Sequence, residues 1–352
     1  MKYFILVLVL LVTACAVPMT IATPTPASTS TPVPTATPEP ILFNEPDFIF
    51  QGNDPSQPIV SRNPSPEITN LYINPGAVLF YEGRFHMFFN SFTSWPGVIK
   101  VGYMTSNDGY RWEMEQDEPV FTTDQVLFGS GHADVSSALV TDDGTWVLYF
   151  HTISGGQIGR ATAASPLGPW TVDADPVLDP GPTGAWDEDG VFWPSVVRED
   201  DGYRMYYGGQ NPLGTSIGLA TSPEGITWTK YNDPETSDEL YTESDPVLTA
   251  EADWELSKVD RPRVTRSPDG WAMIYQGGPV EMRGLALSDD GVHWETYLSN
   301  PVFTKESFPI PNAKTWDTNL LYQDGVYYYF MELGTLNGTD LYLTTHAGAL
   351  RK

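Results

Sequence analysis

YEGRFHMFF at residues 81–89 reads as a turn followed by an aromatic strand, and the chain repeats the pattern four more times. The copies are DDGTWVLYF (142–150), DDGYRMYYG (200–208), PDGWAMIYQ (268–276) and QDGVYYYFM (323–331). Their turn glycines, Gly83, Gly144, Gly202, Gly270 and Gly325, stand 61, 58, 68 and 55 residues apart. Each copy carries an Asp-Gly type of hairpin signal, preceded by an apolar run and followed by Tyr/Phe-rich alternation. These runs supply the first two strands of a repeating unit.

A second element follows at regular distance: YMTSNDGYRWE (103–113), RATAASPLGPWT (160–171), LATSPEGITWT (219–229) and LALSDDGVHWE (285–295). It reads as a third strand, a turn, and a tryptophan opening a fourth strand. A third element closes each copy: Pro119-Val120-Phe121, Pro176-Val177-Leu178, Pro246-Val247-Leu248 and Pro301-Val302-Phe303. The last unit lacks both the tryptophan turn and this closing segment, yet Pro58-Ile59-Val60 stands ahead of the first unit. The chain around Pro46–Val60 is therefore expected to supply the outer strand of the last unit and close a ring, which would remove two open sheet edges. A lone four-stranded sheet cannot bury both faces, so five such units of about 60 residues predict an all-β, five-bladed β-propeller of four-stranded antiparallel blades, closed by an N-terminal strand.

The remaining sequence sets the surroundings. Met1-Lys2 precedes an apolar run, Tyr3–Val12, too short to span a bilayer, which reads as a signal peptide. Val12-Thr13-Ala14-Cys15 resembles the lipobox of bacterial lipoproteins, and Cys15 is the only cysteine of the chain, so no disulfide explains it. Residues 1–14 are thus expected to be a lipoprotein signal peptide. Residues 15–44 form a Pro/Thr-rich spacer lipidated at Cys15, and residues 45–352 form the propeller. The expected location is the extracellular face of the cytoplasmic membrane, with membrane contact through the lipid alone. With 45 Asp+Glu against 18 Lys+Arg, a net charge of −27, the chain repels phosphate backbones; nucleic acid is excluded and neutral sugars are admitted. Five scattered histidines without HxxxH or HxH give no metal signal. The reading requires no cofactor, leaves room for a structural calcium in the channel, and expects a monomer.

Over residues 58–346 the hairpins and TSxDGxxW turns resemble the five-bladed propeller glycosidases. These are the arabinanases and xylosidases of glycoside hydrolase family 43, the invertase-type fructosidases and levansucrases of family 32 and its relatives, and the mannoside phosphorylases of family 130. The resemblance implies an active site at the axial end of the central channel, with carboxylates supplied by innermost strands. Counting nine residues back from each turn glycine aligns Asn74-Pro75, Val135-Ser136, Trp193-Pro194, Arg261-Pro262 and Trp316-Asp317. Family 43 commonly places Asp-Pro at the first position as general base; Asn74-Pro75 looks like the Asn-Pro of family 130. The family-43 acid, a glutamate two residues before a proline in blade four, corresponds to Asp260.

Asp260 and Asp134, each ten residues before a turn glycine, are the candidate catalytic carboxylates. Their separation at one channel mouth is the test of hydrolysis. Arg261 and Arg263 flank Asp260 and would hold it ionised unless burial opposes them. Asn74, Trp193, Arg261, Arg263, Asp189, Trp316 and Asp317 are the candidate sugar-binding residues. Trp193, Trp316 and Trp95 fall outside the repeat series and are expected to stack on sugar. His132 alternates onto the face of Asp134 and reads as a hydrogen-bonded channel histidine. Asp187 in Trp186-Asp187 repeats as Glu255 in Trp254-Glu255 and reads as architecture. Two functions follow: a cell-surface glycoside hydrolase or related carbohydrate-active enzyme, or a catalytically silent glycan-binding propeller lipoprotein.

Overall fold

The computed structural model describes residues 40–352 apart from 53, 69, 96 and 130–132. Cys15, the signal peptide and the spacer up to residue 39 lie outside these residues, as does His132. Five antiparallel sheets, each with four strands running outward, make a five-bladed propeller. Blade one comprises Tyr72–Tyr81, Arg84–Phe92, Lys100–Ser106 and Glu113–Met114; blade two Ala133–Val140, Trp146–Thr152, Ile158–Ala163 and Thr171–Val172. Blade three comprises Gly190–Glu199, Gly202–Asn211, Gly214–Ser222 and Thr229–Lys230; blade four Val259–Ser267, Gly270–Gly277, Arg283–Ser288 and Glu295–Thr296. Blade five takes Thr318–Gln323, Val326–Thr335 and Gly338–Ala347 from the C-terminal end of the chain and Ile49–Phe50 from the N-terminal end. The first strands of neighbouring blades touch in a closed ring, blade five against blade one included.

The closing segments repeat as their sequence does. Phe121 lies opposite Val101, Leu178 opposite Ile158, Leu248 opposite Ile217 and Phe303 opposite Arg283, each on the third strand of its blade. Val60 does the same for blade five, opposite Leu341. The N-terminal stretch therefore contributes both the outer strand and the closing segment that blade five lacks. Contact with the propeller begins ahead of residue 45: Ile41 is buried, its N–H donates to the Glu295 carboxylate at 3.0 Å, and Phe43 bridges Arg351.

Four of the repeat tryptophans lock adjacent blades. Trp170 meets Phe88, Trp228 meets Tyr149, Trp294 meets Tyr206 and Trp112 meets Phe330, all edge-on with centroids 5.6–5.9 Å apart. Each tryptophan thus packs against the second strand of the preceding blade, an arrangement favoured by the ring quadrupoles. Blade five has no such tryptophan, and the matching position of blade four is Ile274, which shares an apolar cluster with Ile41 and Leu350. The two chain ends fill the seam that an indole fills elsewhere. Asp187 and Glu255 are confirmed as architecture: each receives a buried tyrosine hydroxyl, Tyr207 at 3.4 Å and Tyr275 at 2.8 Å.

Truncating Trp228 to Ala should cost about 3–5 kcal/mol, the usual loss for a buried indole. Urea unfolding of Trp228→Ala beside Leu298→Ala, whose side chain is fully exposed, checks this; equal midpoints would remove the interblade lock.

Candidate active site

The place of each channel residue follows from the strand register. Asn74 lies opposite Asn90, Asp134 opposite His151, Phe192 opposite Gly208 and Asp260 opposite Gln276. Asn74, Asp134, Phe192 and Asp260 therefore hold one equivalent position, whereas counting from the turn glycines set Asn74 beside Val135, Trp193 and Arg261. The turns cause the offset. Gly83 and Gly325 sit within two-residue turns beside Glu82 and Asp324, all four at positive φ, whereas Gly202 and Gly270 already pair in the ladder with Glu199 and Ser267. Just beyond that position the first strand bulges, at Pro75-Gly76, Ser136, Trp193-Pro194 and Arg261-Pro262. A bulge re-aims the side chains beside it. Trp193 and Arg261 adopt φ of 53° and 49°, a conformation that costs a non-glycine residue roughly 1–3 kcal/mol. Gly76 serves blade one at φ 48°, where a Cβ would sit 2.2 Å from the Phe88 carbonyl oxygen.

These bulges gather a polar network on the channel axis. The Asn90 amide donates to Asn74 Oδ1 at 2.7 Å, to the Val135 carbonyl at 2.7 Å and to Asp134 Oδ1. Asn74 Nδ2 lies 3.5 Å from Asp134 Oδ2 and 3.5 Å from Asp317 Oδ2. Those two carboxyl oxygens are thus no more than about 7 Å apart, within the separations at which paired carboxyls act on a glycosidic bond. Arg261 Nη1 donates to Asp317 Oδ1 at 2.7 Å, and Arg263 Nη2 lies 3.7 Å from the same oxygen. The Asp317 N–H donates to Glu332 Oε2 at 3.2 Å.

Burial and charge divide these carboxyls into two kinds. Burial and the repulsion of Asp317 push Asp134 well above the usual carboxylate range. Glu332 rises to about 8 for the same two reasons. Burial opposes ionisation of Asp317 as well, but Arg261 and Arg263 outweigh it and hold that carboxyl below its ordinary value. Burial lowers His151 to about 3, leaving a neutral imidazole. Glu332 therefore keeps its proton at neutral pH beside the Asp317 carboxylate, the separation that assigns acid and base roles in a site.

Above this network lies a cavity of about 430 Å³ lined by Asp317, Glu332 and Arg261 together with Trp316, Trp95 and Tyr72. Of the sequence candidates, Asp317, Arg261 and Trp316 line it, and Trp95 joins them. Asn74 and Arg263 are buried and do not line it. Asp260 does not line the cavity; it lies buried beside Lys258, whose Nζ is 3.3 Å away, and neither of its oxygens accepts a hydrogen bond. Burial raises it against the pull of Arg261 and Lys258, and Arg263 turns to Asp317 instead. Asp189 is exposed outside the cavity. Trp193 does not line the cavity, since Arg261 stacks on its ring, 4.2 Å from guanidinium carbon to centroid.

Glu332, Asn90 and His151 lie on second strands, outside the first-strand positions at which the sequence points to a site. The signal was present: each is the residue immediately after a quoted hairpin repeat, where a polar side chain ends an aromatic run. Among the described residues no cluster of three or more His, Cys, Asp or Glu could hold a metal ion. A calcium in the channel would have to share Asp317 with two guanidinium groups, whose charge opposes a divalent cation there.

No family model matches the chain. Over 210 residues it is 28% identical to a probable arabinan endo-1,5-α-L-arabinosidase C of Aspergillus flavus, covering 56% of this chain and 58% of that protein. Across the curated relatives it matches, the chain spans 31–58% of their length. Among solved structures it is similar to one from glycoside hydrolase family 130, described as mannoside phosphorylases that include glycoside hydrolases targeting β-1,2-mannosidic linkages in Candida mannan. The TM-score is 0.62 at 17% identity, covering 87% of this chain and 96% of that one. A thermostable family-43 glycoside hydrolase gives a TM-score of 0.56 at 16% identity, covering 80% and 90%. The fold is that of the glycoside hydrolase propellers.

Glu332 should leave a signature in stability. Between its ordinary value of 4.5 and about 8, the folded protein keeps a proton that the unfolded chain has lost. Stability must therefore fall as pH rises through that window, by up to about 1.4 kcal/mol per unit. Denaturation of wild type and Glu332→Gln from pH 5 to 8 checks this: the variant should lose this slope, and parallel profiles would refute the assignment.

Proposed function

We propose that the chain is a glycoside hydrolase, or a related carbohydrate-active enzyme, that takes an oligo- or polysaccharide into the cavity at the channel end. The observation that carries this reading is that the Arg261-paired Asp317 and the buried Glu332 line one aromatic-walled cavity. Trp316, Trp95 and Tyr72 offer apolar ring faces of the kind that pack on sugar C–H groups. Glycosidic cleavage needs a proton for the leaving oxygen and a carboxylate to act as base or nucleophile and to face the oxocarbenium-like transition state. Glu332, neutral until about pH 8, is the proton donor in this reading. Asp317, anchored by Arg261, is the carboxylate. Asp134 accepts from the Asn90 amide, and burial with the repulsion of Asp317 raises it, which opposes a second negative charge beside Asp317.

The similarity to an arabinosidase and to family-130 propellers selects arabinosides and mannosides as the first substrates to try. On a panel of aryl glycosides and oligosaccharides, Glu332→Gln and Asp317→Asn should each lower kcat by roughly 10²–10⁴-fold. Asp260→Asn, altered outside the cavity, should retain most of its activity. The profile of kcat/KM should fall as pH rises through about 8, where Glu332 loses its proton. Sugar binding without turnover, unaffected by the Glu332 and Asp317 changes, would instead make the protein a silent glycan-binding propeller.

The same proposal places the enzyme on the outer face of the cytoplasmic membrane, held by a lipid on Cys15 and spaced by the Pro/Thr-rich segment. Bacteria expressing the full chain and fed labelled palmitate should label the protein, and Cys15→Ser should abolish the label. Equal labelling of both forms would contradict the anchor.

A further inference from the structure

We infer that Trp193 is a positioning residue: its ring seats the Arg261 guanidinium on the Asp317 carboxylate. The inference deepens the proposed function, since Asp317 is the charged group of that site. Trp193 and Arg261 come from adjacent blades and occupy the same bulge, each followed by a proline and each at positive φ. A residue before proline is already restricted, so neither adopts this backbone without support from its surroundings. The support is mutual. Arg261 Cζ stands 4.2 Å from the Trp193 ring centroid, while Arg261 Nη1 reaches Asp317 Oδ1 at 2.7 Å. An indole face attracts a guanidinium and fixes its plane, leaving the fork edge free for a carboxylate.

Neighbouring residues are shaped around this stack. A Cβ on Gly208 would stand 2.9 Å from Trp193 Cε3, so glycine opposite the bulge makes room for the ring. The rings of Phe192 and His151 stand 5.2 and 5.5 Å from that of Trp193. Arg261 is also the cation nearest to Asp317, Arg263 standing farther away at 3.7 Å. The groups that face Asp317 are therefore Arg261, Arg263, His151, Asp134 and Glu332, and of these only Arg261 is held by the Trp193 ring through a cation–π contact.

The test follows Asp317 itself. Protein carrying ¹³C at aspartate side-chain carbons is titrated by NMR, and the Asp317 signal is assigned by its loss in Asp317→Asn. In Trp193→Leu the Asp317 midpoint should rise by about one pH unit or more, a tenfold change in proton affinity, and in Trp193→Phe by less. Unfolding curves establish that each variant is folded. If Trp193→Leu does not fold, Trp193→Phe alone decides, because any weakening of the stack must still raise the midpoint. An unchanged midpoint in a folded variant overturns the inference. This readout needs no turnover, so a chain without glycosidase activity would defeat the proposed function while leaving Trp193 fully tested.

Discussion

Closure of the ring is the constraint on which everything else rests. Five wedge-shaped blades bury their faces only against one another, and the last blade is completed by Ile49–Phe50 and by Val60 from the opposite end of the chain. Four blade junctions carry an indole set edge-on against an aromatic ring of the preceding blade. The remaining junction carries Ile274 in a cluster with Ile41 and Leu350, so the two chain ends do the work of the missing tryptophan. A change at that seam would act on all five blades, because every innermost strand is held by two neighbours.

The site is a consequence of closure. Asp134, Arg261 and Asp317 come from or beside the first strands of blades two, four and five, and Asn90 and Glu332 from the second strands of blades one and five. Asn90 and Asp134, and Arg261 and Asp317, come from different blades, so the ring brings them within hydrogen-bond range and the bulges then aim them. The backbone at Trp193 and Arg261 is strained for that purpose. Two guanidinium groups hold Asp317 charged, and burial, reinforced by that charge, raises both Asp134 and Glu332.

The sequence made the blade count and the closing strand readable because period, hairpin turns and tryptophan positions repeat, and repetition survives small local errors. The site was less readable for a physical reason. Gly83 lies in its turn while Gly202 and Gly270 lie in the ladder. Counting from glycine therefore shifts the frame by one residue, and in a strand one residue is the difference between facing the channel and leaving it. Trp193 thereby aligned with Asn74 and looked like a sugar platform, although it does not line the cavity. Glu332 was hidden by its place on a second strand, although it ends an aromatic run as Asn90 and His151 do.

The central claim is that Glu332 keeps its proton at neutral pH beside the Asp317 carboxylate. Infrared spectroscopy in H₂O and D₂O detects protonated carboxyls through carbonyl bands that shift on deuteration. The account predicts such a buried band in the wild-type protein at neutral pH that is lost in Glu332→Gln. Absence of that band, or its survival in Glu332→Gln, would contradict it.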